Sequence, residues 1–235
     1  MENDKLAKNI NDIQEAQREY LKNNRNFKFK ILYFLSPLLL LLPPLFWFQY
    51  QKVFASRSSN SKYDEKVLGH FPYFEISKNN LIEIQPNIFV HKDMYSSLLK
   101  MKSEAEREGI FLIFLSGFRS IELQEEIFYS LKAARNQIAL ERAKVSAPPG
   151  YSEHSTGFAI DIGDAQNRET DFEVEFENTR AFKWLKRNAA KYHFRLSFDK
   201  NHKSVDYEPW HWRYEGSIDS LKIFERANRE KNIFN

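Results

Sequence analysis

A chain of 235 residues, 42% hydrophobic and 29% charged, has room for one globular domain plus accessory segments. Its 35 basic and 32 acidic residues leave a net charge of +3, too slight an excess for a concentrated basic face, so no nucleic-acid partner is expected. The absence of cysteine excludes thiolate ligands, disulfides and a cysteine nucleophile, and any metal must sit on His, Asp or Glu.

Residues 1–30 are polar, with Leu6, Ile10, Ile13 and Tyr20 or Leu21 spaced like one face of a short amphipathic helix. From Ile31 to Phe48 the chain carries no charge and one serine. At ~1.5 Å per residue that run is just long enough to cross a hydrocarbon core of ~30 Å. Pro37, Pro43 and Pro44 would break a helix in water, whereas membrane helices tolerate proline better; a buried soluble helix is the alternative. Lys22, Arg25, Lys28 and Lys30 crowd the N-terminal flank, which places the N-terminus in the cytoplasm and everything after about residue 50 outside. Trp47, Phe48 and Tyr50 fit the outer aromatic belt. Ala55 before Ser56 would suit a signal peptidase, but the long leader favours an uncleaved anchor. The expected plan is a cytoplasmic tail (1–30), one transmembrane signal-anchor (31–50), a serine-rich linker (51–70) and an exported domain (71–235), with the cytoplasmic membrane as a partner through one helix.

Within the exported domain, Leu81 to His91 alternates around Pro86 and predicts two short strands or a strand and a turn. Helical spacing over Met94 to Glu108 is stopped by Gly109. The apolar run Ile110 to Leu115 predicts a central, doubly buried strand. It delivers Ser116-Gly117-Phe118-Arg119-Ser120, where an arginine on a glycine-bearing turn is placed for a two-pronged bond to a carboxylate; a solvated loop arginine is the bland alternative. Ser120 caps a helix expected from Ile121 to about Lys144, with Leu123, Ile127, Leu131 and Ala134 inward and Gln124 one turn on from Arg119. Ala147 to Gly150 predicts a rigid loop, and the acidic stretch Gly163 to Asn178 a solvated one, with a second metal site as the alternative that no spacing organises. An amphipathic helix over Thr179 to His193 precedes two strands, Phe194 to Phe198 and Val205 to Tyr214, and a closing helix from Ser217 to about Arg229.

Two short stretches carry chemistry. Ser152 to Asp161 sets His154 and Asp161 at the ends of a run with glycine and alanine, and Glu208-Pro209-Trp210-His211 lies further on. Of the six histidines, only His154 and His211 stand beside carboxylates in strand-like surroundings; His70, His91, His193 and His202 do not. Catalytic zinc takes three protein ligands and keeps an open position, and His154, Asp161 and His211 would supply them. A hydrolase also needs a base, and Glu208 can reach the same face as His211 only if Pro209 marks a bend, because i and i+3 point oppositely on a strand.

The set SGFRS, SEHSTGFAID and EPWHWRY resembles the VanY-type D-alanyl-D-alanine carboxypeptidases, zinc peptidases of the bacterial cell wall related in fold to VanX and to the Hedgehog signalling domain. The pattern S-x-H-x-x-G-x-A-x-D followed by E-x-W-H is met at every fixed position, and the similarity runs from about residue 80 to 216. The resemblance implies an α+β fold, a small antiparallel sheet with packed helices. It implies zinc on His154, Asp161 and His211, Glu208 as catalytic base, Arg119 on the substrate's terminal carboxylate, and Ser152 and Gln124 lining the site. The implied activity is removal of the terminal D-alanine from peptidoglycan stem peptides outside the cytoplasmic membrane. An L,D-carboxypeptidase or an endopeptidase could use the same zinc, and a non-catalytic wall-binding module could keep it for structure, though such a module needs no base. Phe118 stands where many relatives carry tyrosine, and Phe194 to Ser204 matches no family pattern.

Overall fold

The computed structural model describes residues 66–233. The expected tail, the signal-anchor and residues 51–65 of the linker lie outside them, and no helix among the described residues is long and apolar enough to cross a membrane. The described residues belong to one compact unit beginning at Lys66.

The predicted hairpin forms as β1 (Leu81–Gln85) and β2 (Ile88–His91), antiparallel, turned by Asn87 at φ +65°. The helix α1 (Lys92–Arg107) follows, with His91 as its N-cap and Met94, Leu98, Met101 and Ala105 fully buried along one stripe. Gly109 at φ +70° ends it where a side chain would be strained. A four-stranded antiparallel sheet then assembles in the order β3 (Leu112–Ser116), β4 (Ala159–Asp164), β6 (His211–Tyr214), β5 (Phe194–Leu196). Its side chains Leu112, Phe114, Ile160, Ile162 and Trp212 join the α1 stripe and Trp184 and Leu185 in one core. The fold is α+β with small antiparallel sheets and packed helices, as expected.

The Ile110–Leu115 run is not the central strand. β3 lies at the sheet edge, and the inner strands β4 and β6 are buried along their whole lengths. Apolarity reports that a strand's faces are covered, and says nothing about whether both of its edges are paired. The long helix also divides, into α2 (Ile121–Ala134) and α3 (Ala139–Ala143). Asn136 breaks it by taking the left-handed conformation, φ +50°, that commonly ends helices. The buried face of α2 is Gln124, Ile127 and Phe128; Leu123 and Leu131 are half-buried and Ala134 is exposed.

The acidic stretch after β4 is less solvated than expected. It folds into two 3-10 turns, Arg168–Thr170 and Val174–Asn178, with Asp164, Asp171 and Phe176 buried and Asp171 held by Arg168 at 2.6 Å. The predicted helix after it appears as α4 (Arg180–Asn188), capped by Thr179. The second late strand is shorter than predicted, because residues 205–210 are irregular and β6 starts only at His211. α5 (Ile218–Ile233) closes the described chain.

A candidate metal centre

Strand register brings the two distant motifs together. Asp161 on β4 pairs directly with His211 on β6, and Ser116 on β3 pairs with Asp161 from the other side. Directly opposed residues in an antiparallel pair hold their Cβ atoms about 4.5–5.5 Å apart, so fifty residues of sequence separation collapse to one side-chain contact. His154 arrives from a 3-10 turn, Glu153–Thr156, which Ser152 caps and which Gly157 at φ +73° turns into β4. One ligand atom each from His154, Asp161 and His211 lies within 4.8 Å of the others, and all three residues are buried.

Both imidazoles are oriented by their outer nitrogens. His154 Nδ1 donates to the Gly117 carbonyl at 2.7 Å, which leaves Nε2 facing Asp161 Oδ2 at 3.2 Å. His211 Nε2 donates to Glu153 Oε2 at 3.0 Å, while Nδ1 faces Asp161 Oδ1 at 3.0 Å. Burial pushes the His154 imidazole toward neutrality, against the pull of Asp161. Burial pushes His211 the same way, but its hydrogen bonds to Asp161 and Glu153 prevail and raise it to about 10. In the metal-free chain the His211 imidazolium therefore supplies a positive charge to these carboxylates. Burial would raise the Asp161 carboxyl, yet His154 and His211 hold it well below the usual range. Two nitrogens and one anionic oxygen on fixed, buried supports fit a divalent metal of the zinc type.

Glu208 sits beside this set without belonging to it. The Glu208–Pro209–Trp210 segment turns, with the His211 amide donating to the Glu208 carbonyl at 3.2 Å, and Glu208 Oε2 ends 4.0 Å from His211 Nδ1. The bend that the sequence required at Pro209 is present. Burial raises the Glu208 carboxyl to about 8, Asp161 adding to the shift and His211 opposing it.

Arg119 follows β3 and is held by Gln124 Oε1 at 2.8 Å and by Ser116 Oγ at 3.3 Å. Asp161 and Glu208 both act on its guanidinium, which burial disfavours. Gln124 is fully buried, its amide donating to Ser146 Oγ and the Ala147 carbonyl, so it supports Arg119 from behind. The Ser152 hydroxyl accepts from the His154 amide at 3.3 Å and supports the turn that carries that ligand. Of the remaining histidines, His70 Nε2 donates to the Ala143 carbonyl and His91 Nδ1 accepts from the Asp93 amide. No second group of three metal-ligating side chains occurs among the described residues.

Glu153 was not singled out from the sequence, although it adjoins His154 in the motif. Besides His211 it accepts from Arg213 Nη1 at 2.9 Å and from the Ser197 hydroxyl. The available signal was alternation: His211 and Arg213 are two apart on a strand and so share a face. Gly117 also bears on the geometry, because a Cβ there would lie 2.3 Å from the Phe89 carbonyl oxygen. Gly117→Ala is expected to cost about 1–3 kcal/mol through this overpacking and to weaken metal binding by displacing the carbonyl that orients His154. Thermal unfolding and chelator competition would measure the two effects.

The family model described as VanY, D-alanyl-D-alanine carboxypeptidase, matches residues 87–217. A putative carboxypeptidase, YodJ, of Bacillus subtilis (strain 168) is 38% identical over 136 residues, covering 54% of this chain and 47% of the relative. A D-alanyl-D-alanine carboxypeptidase of Enterococcus faecium is 28% identical over 170 residues, 71% of this chain and 47% of the relative. The chain thus spans about half the length of the curated relatives it matches. Among solved structures, the LD-carboxypeptidase LdcB superposes with a TM-score of 0.52 at 31% identity, covering 69% of this chain and 72% of that one. VanYB in complex with D-alanine-D-alanine superposes at 0.54 with 24% identity, over 71% and 96% respectively, a likeness of fold.

Proposed function

The chain belongs to the VanY family of D-alanyl-D-alanine carboxypeptidases, and from that premise we propose that it is a zinc-dependent D,D-carboxypeptidase that removes the terminal D-alanine from peptidoglycan stem peptides. The observation that carries the reading is the cross-strand pairing of Asp161 with His211, which closes on His154 and leaves Glu208 alongside as an uncommitted carboxyl.

His154 Nε2, Asp161 and His211 Nδ1 would hold the zinc, with Gly117 and Glu153 fixing the two rings. When bound, zinc lowers the pKa of a water from ~15.7 toward ~7 and polarises a carbonyl. Arg119 takes the terminal carboxylate of the substrate through its guanidinium fork and so sets which peptide bond lies over the centre. The Glu208 carboxyl, whose ionised form a bound cation would favour, accepts the proton of the attacking water. As the new C–O bond forms and the C–N bond breaks, Glu208 returns that proton to the departing amine of D-alanine. The segment 31–50 would anchor the domain on the outer side of the cytoplasmic membrane, the side where stem peptides lie; the support for this is its uncharged stretch and basic flank.

The full zinc-loaded chain should release D-alanine from a muramyl pentapeptide and lose that activity in chelator. Mass spectrometry of products from tri-, tetra- and pentapeptides sorts the chemistries. Cleavage of the tetrapeptide alone would make the protein an L,D-carboxypeptidase, and release indifferent to chelator would overturn the zinc reading.

A further inference from the structure

One buried charge takes no part in the chemistry of the metal centre. Arg142, on α3, is 5% exposed, and its Nε has no hydrogen-bond partner. No ion pair engages its guanidinium among the described residues. Burying a guanidinium nitrogen without a partner is costly, and a positive group kept in that state is suited to an anion arriving from outside.

Its position is fixed by the chain on either side. The carbonyl of Ala143 accepts from His70 Nε2 at 2.7 Å. The carbonyl of Lys144 accepts from the Asp206 amide at 2.8 Å, tying α3 to the segment that leads into Glu208. Ser146 and Ala147 accept from Gln124, the residue that holds Arg119. The helix bearing Arg142 is therefore fastened at one point to the support of the carboxylate clamp and at another to the strand of chain carrying the base.

Electrostatics agree with that placement. Burial first, then the positive charges of Arg135 and Arg119, lower the Arg142 guanidinium to about 10, and Glu208 pulls the other way. The Arg142 guanidinium is thus close enough to feel both Arg119 and Glu208. Arg119 Nε is likewise buried without a partner, so each of the two guanidiniums keeps a donor in reserve.

We propose that Arg142 is a second binding residue for the substrate's C-terminal carboxylate, acting beside Arg119 and selecting peptides with a free acid end. The inference rests on the carboxypeptidase reading above. It gives α3 a purpose that packing does not, since the helix is five residues long and its Leu140 is 54% exposed.

The test compares an N-acylated peptide ending in free D-alanine with the same peptide as its C-terminal amide, using the full zinc-loaded chain. Arg142→Gln should raise KM for the free acid by about tenfold or more, as expected for a lost charge-assisted hydrogen bond, with kcat little changed and the inhibition constant of the amide unmoved. Arg142→Lys, which keeps the charge, should recover part of the preference and serves as the readout if the glutamine variant does not fold. If KM for the acid and the inhibition constant for the amide rise together, or if neither moves, Arg142 is structural and the proposal falls. Should the wild-type chain release no D-alanine, the carboxypeptidase reading has failed instead, and calorimetric binding of the acid and amide peptides still decides whether Arg142 reads a carboxylate.

Discussion

Replacing Glu208 with alanine is expected to lower kcat for D-alanine release by about 10²- to 10⁴-fold, the usual worth of a positioned general acid–base group. Metal stoichiometry should remain at wild-type level, because Glu208 lies 4.0 Å from His211 Nδ1 and makes no shorter contact with the metal-binding set. A pH series on the metal-free chain adds a signature that a bystander would lack. Burial raises the Glu208 carboxyl from 4.5 to about 8, so the folded state holds its proton more tightly than the unfolded one. Stability is then undiminished below the unfolded pKa and declines as pH rises through the folded value, where the buried carboxylate must ionise. Glu208→Gln cannot ionise and should melt higher than wild type above pH 8, with the difference closing toward pH 4. Loss of activity accompanied by loss of metal would show that Glu208 belongs to the ligand set; a pH-independent difference in Tm would remove the raised carboxyl from the account.

The parts of this centre that sequence made legible are those fixed by local chemistry. His154, Asp161 and His211 stood out because few residue types bind metal and cysteine is absent, and the need for a bend at Pro209 followed from strand alternation. Three other features were not legible, two of them because they depend on what lies across space. The apolar run of β3 is satisfied by covered faces, whichever edge is paired, so it could not reveal that β4 and β6 hold the centre of the sheet. The break at Asn136 needs a left-handed residue, and asparagine inside a helical pattern is too common to mark one. Gln124 was close to Arg119 along the chain, but its role in holding that arginine depends on Ala147 arriving from the far end of α3. Glu153 was harder to see: its neighbours in sequence gave no hint of Arg213, sixty residues away, and only the alternation of His211 and Arg213 on one strand pointed to a shared partner.

Glu153→Ala is therefore expected to have the largest effect on stability. Glu153 and Arg213 are both almost completely buried, with side-chain exposures of 3% and 2%. Breaking a buried pair by deleting one partner costs about 3–5 kcal/mol, because the remaining charge is left uncompensated. Glu215, 2.6 Å from Arg213 Nε, and Asn228 still engage the guanidinium, which places the expectation at the lower end, about 3 kcal/mol. At about 2–4 °C per kcal/mol for a domain of this size, Tm should fall by about 10 °C. Arg213 and the His211 ring hold the Glu153 carboxyl well below the usual range despite its burial. The stabilisation is thus present above the unfolded carboxylate pKa and lost as pH falls below it, and wild type and variant should converge in acid. The metal should feel the change separately: with Nε2 of His211 unbound, its Nδ1 loses a fixed tautomer and orientation, for which about 10- to 100-fold weaker binding is expected. A second substitution distinguishes the two effects. Glu153→Met with Arg213→Met removes both charges and should recover much of the lost Tm, since apolar replacements of buried pairs are often neutral, while metal affinity stays low. If the double variant regains full affinity, the carboxylate is holding Arg213 and not the histidine, and the orienting role assigned to Glu153 is wrong.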